Sequence, residues 1–100
     1  MLKFGKYVLP AVVISFDAAG KLPIKLVAPI TDWKPYFAQN FWHVKIESDT
    51  MTGLNKASAI DALQLRGVDL LRFIHRLGSV SEVTMSEITI AIVTVIEYDV

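Results

Sequence analysis

The sequence predicts an α+β domain in which several short strands, mainly antiparallel, curl into a small sheet or barrel and a terminal helix packs on it. Three observations predict it. The first two-thirds of the chain break into short apolar segments rich in strand-forming residues. Most connections between them are too short for parallel crossovers. After Gly78, Ser81 offers a helix cap, and Met85, Ile88, Ile92 and Val95 recur at helical spacing. A chain of 100 residues with no linker, repeat or low-complexity segment reads as one domain over residues 1–100.

The elements follow in order. Residues 7–15 form an apolar, β-branched run that reads as a strand with both faces partly buried. Pro10 lacks an N–H, so it belongs near the strand start or at an edge. Asp17-Ala18-Ala19-Gly20-Lys21 is a turn in which Gly20 can take positive φ. Residues 24–30 form a second strand, followed by a polar and aromatic connection that begins at Thr31. Residues 42–47 alternate, placing Trp42, Val44 and Ile46 on one face and His43, Lys45 and Glu47 on the other. Residues 48–55 form a loop containing Gly53. Residues 56–65 read as another strand, with Ala59, Asp61, Leu63 and Leu65 sharing a face. Asp69 then caps one helical turn over residues 70–74. The terminal helix is expected over about residues 81–97. Residues 88–92 also alternate and are rich in strand formers, so periodicity alone leaves a strand open there.

Composition narrows the function. The chain has no cysteine, which excludes disulfides, thiolate zinc sites and cysteine nucleophiles. Residues 1–6 do not read as a signal peptide. The longest apolar stretch, 88–96, is too short to span a bilayer, so a cytoplasmic location is expected. Hydrophobic residues make up 53% of the chain, more than a small monomer needs, and this predicts a homodimer. The net charge is zero but unevenly placed. Residues 1–76 hold all ten basic residues against six acidic ones, a balance of +4, while residues 77–100 carry −4. A mildly basic body suits an anionic partner such as RNA. No G-x-S-x-G, phosphate-cradling glycine loop or H-E-x-x-H motif occurs. His43 and His75 lack ligand-spaced companions, so no metal or other cofactor is expected and both read as surface or half-buried structural residues.

Three blocks remain: Leu9-Pro10-Ala11-Val12-Val13-Ile14-Ser15; Val27-Ala28-Pro29-Ile30-Thr31; and Ser58-Ala59-Ile60-Asp61-Ala62-Leu63-Gln64-Leu65-Arg66, followed by Asp69, Arg72 and Leu77-Gly78. In this order and spacing they resemble the MazF/PemK toxins, in which R-P-x-x-V-I-S, V-x-P-I-T and D-Q-x-R lie on successive strands of an SH3-like barrel ahead of a final helix. The resemblance implies that fold, a dimer, an antitoxin peptide as partner, and metal-independent cleavage of single-stranded mRNA through the ribose 2′-hydroxyl. Thr31 matches the family's catalytic threonine. Gln64 and Arg66 match Q-x-R, with Arg66 a phosphate ligand or an ion-pair partner, for instance of Asp69. Trp33, Tyr36 and Phe37 follow Thr31 and offer rings for stacking unpaired bases, or cover for a sheet edge or dimer seam.

The chain also departs from the pattern. Leu9 stands where the family has its catalytic arginine, and leucine neither transfers a proton nor binds phosphate. Leu63 replaces the acid before the glutamine, with Asp61 as a substitute two residues earlier. Only eight residues precede Leu9, so the family's first strand is expected to be missing or shortened. The resemblance therefore implies an endoribonuclease with very weak or absent activity. A non-catalytic member that binds an antitoxin peptide or RNA is the alternative, and an unrelated small β-barrel binding module is a third reading.

Overall fold

The computed structural model describes residues 2–4, 7–14 and 23–96. Seven strands and one helix follow in order: β1 (Leu2–Phe4), β2 (Tyr7–Leu9), β3 (Ala11–Val13), β4 (Ile24–Asp32), β5 (His43–Ile46), β6 (Ser58–Asp61), β7 (Arg66–Asp69) and α1 (Glu82–Val95). β1 and β2 form a hairpin with Leu2 opposite Leu9. The other five strands form one sheet, β3-β4-β6-β5, with β7 also paired to β4. Every pairing among the described residues is antiparallel. This bent sheet with one terminal helix is the predicted α+β class and is compatible with an SH3-like barrel.

Pro10 divides the run over residues 7–15, which was expected to be one strand. With no N–H it ends the β2 ladder, while its carbonyl still accepts from Ile30 N–H at 3.0 Å as β3 begins. A short strand, β1, does precede Leu9 and pairs with β2. The turn expected at 17–21 and residues Ser15 and Glu97 lie outside the described residues.

The strand expected over 56–65 is likewise interrupted. β6 ends at Asp61, and Ala62–Gln64 forms a 3-10 turn before β7 starts at Arg66. The cause is local: the Asp61 carboxylate accepts from Leu63 N–H at 3.0 Å, a cap that favours a turn over further extension. Leu63 therefore does not share a strand face with Asp61. A second 3-10 turn, Leu70–Arg72, forms where expected, with Asp69 accepting from Leu71 N–H at 2.9 Å.

The main core lies between one sheet face and α1. Val12, Ala28, Ile30, Val44, Ile46 and Ile60 line the sheet side, and Ile88 and Ala91 come from the helix. Burying such side chains is the principal stabilising term. Met85, Ile92 and Val95 pack on its margin as the helical spacing predicts. Ser81 caps α1 by accepting from Thr84 N–H at 3.1 Å. Thr89 and Thr94 donate to the Met85 and Ile90 carbonyls four residues back, at 2.9 and 2.8 Å. Those bonds satisfy polar groups that also suit a strand, which resolves the ambiguity of residues 88–96. A smaller cluster, Val27 and Val68 with Ala11 and Phe73, fills part of the opposite face.

The loop over residues 48–55 is fastened by Thr52, which is buried. Its hydroxyl oxygen accepts from Asp49 N–H at 3.2 Å and Leu54 N–H at 3.3 Å, and its own N–H donates to Asp49 Oδ1 at 2.7 Å. Gly53 has φ of +71°, and a Cβ there would meet the Leu77 carbonyl. Replacing Thr52 by Val should leave the half-buried N–H groups of Asp49 and Leu54 without their acceptor and cost about 1 kcal/mol. Thermal denaturation followed by circular dichroism should show a lowered Tm for Thr52→Val and a nearly native one for Thr52→Ser. Equal melting of Thr52→Val and the parent would refute this account of the loop.

Candidate functional site

Cross-strand partners share a sheet face, and alternate residues of one strand share it too. Thr31 pairs with Ala59 of β6, and Ala59 pairs with Lys45 of β5. One step along, Asp61 pairs with His43. At the other end of β4, Val27 pairs with Arg66. Thr31, Lys45, His43, Asp61 and Arg66 are therefore on one face, opposite the face that carries Ile30, Ile60 and Val44 into the core.

Thr31 is exposed near the end of β4. Trp33 extends the same edge, its N–H donating to the Ala57 carbonyl at 3.1 Å. The chain then turns through a 3-10 segment, Pro35–Gln39, that starts at Pro35, a residue whose fixed φ suits the first helical position. This segment folds back over the face. Phe37 stacks on His43 with ring centroids 3.9 Å apart, and Trp33 and Tyr36 meet Phe37 edge-on at 5.9 and 4.8 Å. Tyr36 remains 66% exposed. Phe37 thus has a structural task in covering His43, whereas Tyr36 presents its ring to solvent.

Beneath Phe37 lies a polar cluster. His43 Nδ1 lies 3.1 Å from the Asn40 amide nitrogen, so Nδ1 accepts and the proton of a neutral ring sits on Nε2. Nε2 points toward Asp61 Oδ2 at 3.8 Å. Asp61 is buried, and its Oδ2 also accepts from the Gln64 side-chain amide at 2.8 Å. Both carboxylate oxygens are thus engaged within the fold. Asp61 holds the turn and orients Gln64 rather than presenting a free acid at the surface.

Of the residues singled out from sequence, Thr31, Trp33, Tyr36, Asp61 and Gln64 gather at one end of this face. Arg66, also exposed, lies farther along, four residues down β4 from the Thr31 level, or about 13 Å. Leu9 is 42% exposed. The β3–β4 ladder places Ala11 opposite Pro29, and the Pro10–Ile30 bond carries the two segments one residue further side by side. Leu9 thereby arrives at the Thr31 end of β4. Sequence reasoning did not single out Lys45, although the alternation of 42–47 had set it on the face opposite Val44 and Ile46. Its Nζ lies 5.2 Å from the Trp33 ring centroid and 3.4 Å from Glu47 Oε1.

Among the described residues, no group of three His, Asp or Glu side chains converges to hold a metal ion. No helix among them is long and apolar enough to cross a membrane. On another flank, an open groove of about 830 Å³ lies between β3 and residues 73–80, lined by Ala11, Val13, Ile14, Phe73, Ile74 and Leu77 among others.

This layout, a small antiparallel sheet with a helix on one face and an exposed polar and aromatic patch on the other, is the fold of a class of small toxins. An Mtb toxin matches with a TM-score of 0.75 and 17% identity, over 87% of this chain and 91% of that one. The Mycobacterium tuberculosis toxin MazF-mt6 matches with a TM-score of 0.77 and 18% identity, over 91% and 88%. An endoribonuclease solved in complex with its cognate antitoxin, from a mycobacterial species, matches with a TM-score of 0.73 and 15% identity, over 98% and 91%. The chain belongs to the PemK-like, MazF-like toxins of type II toxin-antitoxin systems, whose family pattern it matches over residues 3–96. No curated protein sequence is significantly similar to it.

The Asp61 network yields a prediction. Asp61→Ala removes the acceptor for the Leu63 N–H and the Gln64 amide, and should cost about 1–3 kcal/mol in urea denaturation. Asp61→Asn, which keeps one carbonyl oxygen, should recover part of that loss. An Asp61→Ala variant as stable as the parent would show that the turn stands without its cap.

Proposed function

We propose that this protein is a toxin-type endoribonuclease that binds single-stranded RNA across the Thr31 face and cleaves it only weakly. What supports the reading is the register of β3 on β4, which, continued through the Pro10–Ile30 bond, directs Leu9 toward the Thr31 end of β4. These are the positions that match the two catalytic residues of the family, and one of them has lost its cation. Thr31 donates a hydrogen bond to the scissile phosphate. Trp33 and Tyr36 stack bases, while Gln64, oriented by Asp61, and Arg66 contact the strand on either side. In the reaction, the ribose 2′-oxygen attacks the adjacent phosphorus as its proton leaves to a base. The bond to the 5′-oxygen breaks, and that oxygen takes up a proton. A cyclic phosphate and a 5′-hydroxyl result, with no metal required by this balance. Charge accumulates on the phosphoryl oxygens in between, where a cation is most useful.

A single-stranded RNA substrate, incubated with the protein in the presence of a chelator, tests the reading. Cleavage by the unmodified chain should be slow, and Leu9→Arg should raise it by up to about 10²-fold. The double variant Leu9→Arg, Thr31→Ala should lose the gain. Strong cleavage by the unmodified chain that survives Thr31→Ala would place the active site elsewhere. The 42% exposed leucine at position 9 also favours a second reading, a non-catalytic member that binds RNA or an antitoxin and sequesters it. RNA binding without cleavage, even after Leu9→Arg, would favour that reading.

Two protein partners complete the proposal. An antitoxin peptide fits the apolar groove beside β3, because β3 pairs only with β4 among the described residues and offers its other edge for strand addition. A second copy of the chain fits the outer side of α1. There Val83, Ile90, Val93 and Ile96 form an exposed apolar stripe, each more than half exposed, which a two-fold axis can pair with itself. Light scattering at micromolar concentration should report a dimer, and Ile90→Lys should shift it toward monomer. A monomer for the unmodified chain would remove the dimer from the model of action. In a cell the RNA and antitoxin partners would be met in the cytoplasm.

A further inference from the structure

We propose that Lys45 is the phosphate-binding cation of this face, held in reserve by Glu47; the inference rests on the reading of Thr31 as the phosphate-contacting hydroxyl. The register sets Thr31, Ala59 and Lys45 in one row across β4, β6 and β5. Ala59, between them, is wholly buried, so the middle of the row is already covered and only the hydroxyl on one side and the lysine on the other reach the surface. The lysine does not lean away. Its Nζ lies over the Trp33 ring at 5.2 Å, and Trp33 is on the β4 side of the sheet, two residues beyond Thr31. The Lys45 ammonium and the Trp33 ring thus meet across β6, which sets the charge beside the segment that follows Thr31.

The combination suits one nucleotide of single-stranded RNA. A phosphate at the surface of this row would meet a hydroxyl donor from Thr31 and an ammonium from Lys45, and the adjoining base would meet Trp33, whose ring lies 5.2 Å from the cation. Glu47 competes for the same ammonium at 3.4 Å. That ion pair is exposed, with 47% and 69% of the two side chains accessible, so water screens it and a phosphate can displace it. On the same face the His43–Asp61 pair lies one step along the strands, and Asp32, in the neighbouring row, is engaged by Lys56 at 3.0 Å.

Binding of a fluorescein-labelled single-stranded RNA oligonucleotide, measured by anisotropy over a range of salt concentrations, tests this. Lys45→Gln should weaken binding at low salt by about tenfold and reduce the log–log salt slope by about 0.7, the share of one phosphate contact. Lys45→Arg should retain both affinity and slope. Glu47→Gln should tighten binding by about two- to threefold by freeing the ammonium. Arg76→Gln, the same charge change away from this face, should leave the slope unaltered. A Lys45→Gln variant that matches the unmodified protein while Thr31→Ala weakens binding overturns the assignment of Lys45 and leaves the Thr31 face standing. Equal slope changes in Lys45→Gln and Arg76→Gln overturn it too, since net charge alone would then account for the effect. No RNA binding by the unmodified chain, or binding indifferent to both Thr31→Ala and Lys45→Gln, defeats this inference and the reading on which it rests.

Discussion

The carboxylate of Asp61 decides which side of the sheet the C-terminal half of the chain presents. β6 and β7 lie on the same edge of β4, but not in one register. Ile60 faces Ile30 in the first pairing, whereas Arg66 faces Val27 in the second, so three residues have been taken up between them. Those are Ala62–Gln64, the turn that Asp61 caps. Because side chains alternate with period two, an odd insertion reverses the face of everything after it. In an unbroken strand, Arg66 would fall on the side of Ile60 and enter the core. With the turn, Arg66 joins Thr31 on the open face, and Val68 covers Val27 beneath it. One carboxylate thus fixes the site's layout and the second small core together.

The same constraint explains why the site is assembled from strands that are distant in sequence. β4 carries Thr31, β5 carries Lys45 and His43, and β6 carries Asp61, and these are tied by backbone ladders rather than by loops. Such a site is rigid in the direction across the strands. The aromatic segment after Thr31 adds the adaptable part. Phe37 is fixed against His43, and Tyr36, one residue earlier on the same short turn, stays exposed.

Much of this was legible in the residues themselves. The alternation from Trp42 to Glu47 correctly separated Val44 and Ile46 from Lys45, because period-two patterning is a local property that burial of one face imposes directly. The helix was legible from Ser81 and the spacing of Met85, Ile88, Ile92 and Val95, although its outer side is also apolar and blurs the amphipathic signal. The break after Asp61 was not legible. Residues 56–65 carry no glycine or proline to announce a turn, and the cap that makes one depends on a side chain whose other oxygen is held by Gln64. The split at Pro10 was half legible. The proline marked a strand start or edge but not a break, and the partner of residues 7–9 is β1, a pairing whose length follows from geometry that composition does not report.

On the proposed function, the charges around this face bear on how it would hold RNA with no net positive charge overall. Lys45 on this face pairs with Glu47 at 3.4 Å, Lys56 pairs with Asp32 at 3.0 Å in the row of the opposite face, and all four side chains are about half exposed or more. Pairs of that kind contribute roughly 0–1 kcal/mol, so they add little to the fold and cost little to open. They do cancel the long-range field of the lysines, which lowers non-specific attraction to nucleic acid beyond a Debye length of about 8 Å. A phosphate brought close by other means meets an ammonium that can exchange one anion for another. The means available here are rings, Trp33 and Tyr36, and stacking is tolerant of sequence and needs unpaired bases. Double-stranded nucleic acid, whose bases are already stacked, gains nothing from those rings and is left with only the screened charges. On the proposed reading, the face would discriminate by strandedness first, through its aromatics, and engage phosphate second, through Lys45 once the strand displaces Glu47.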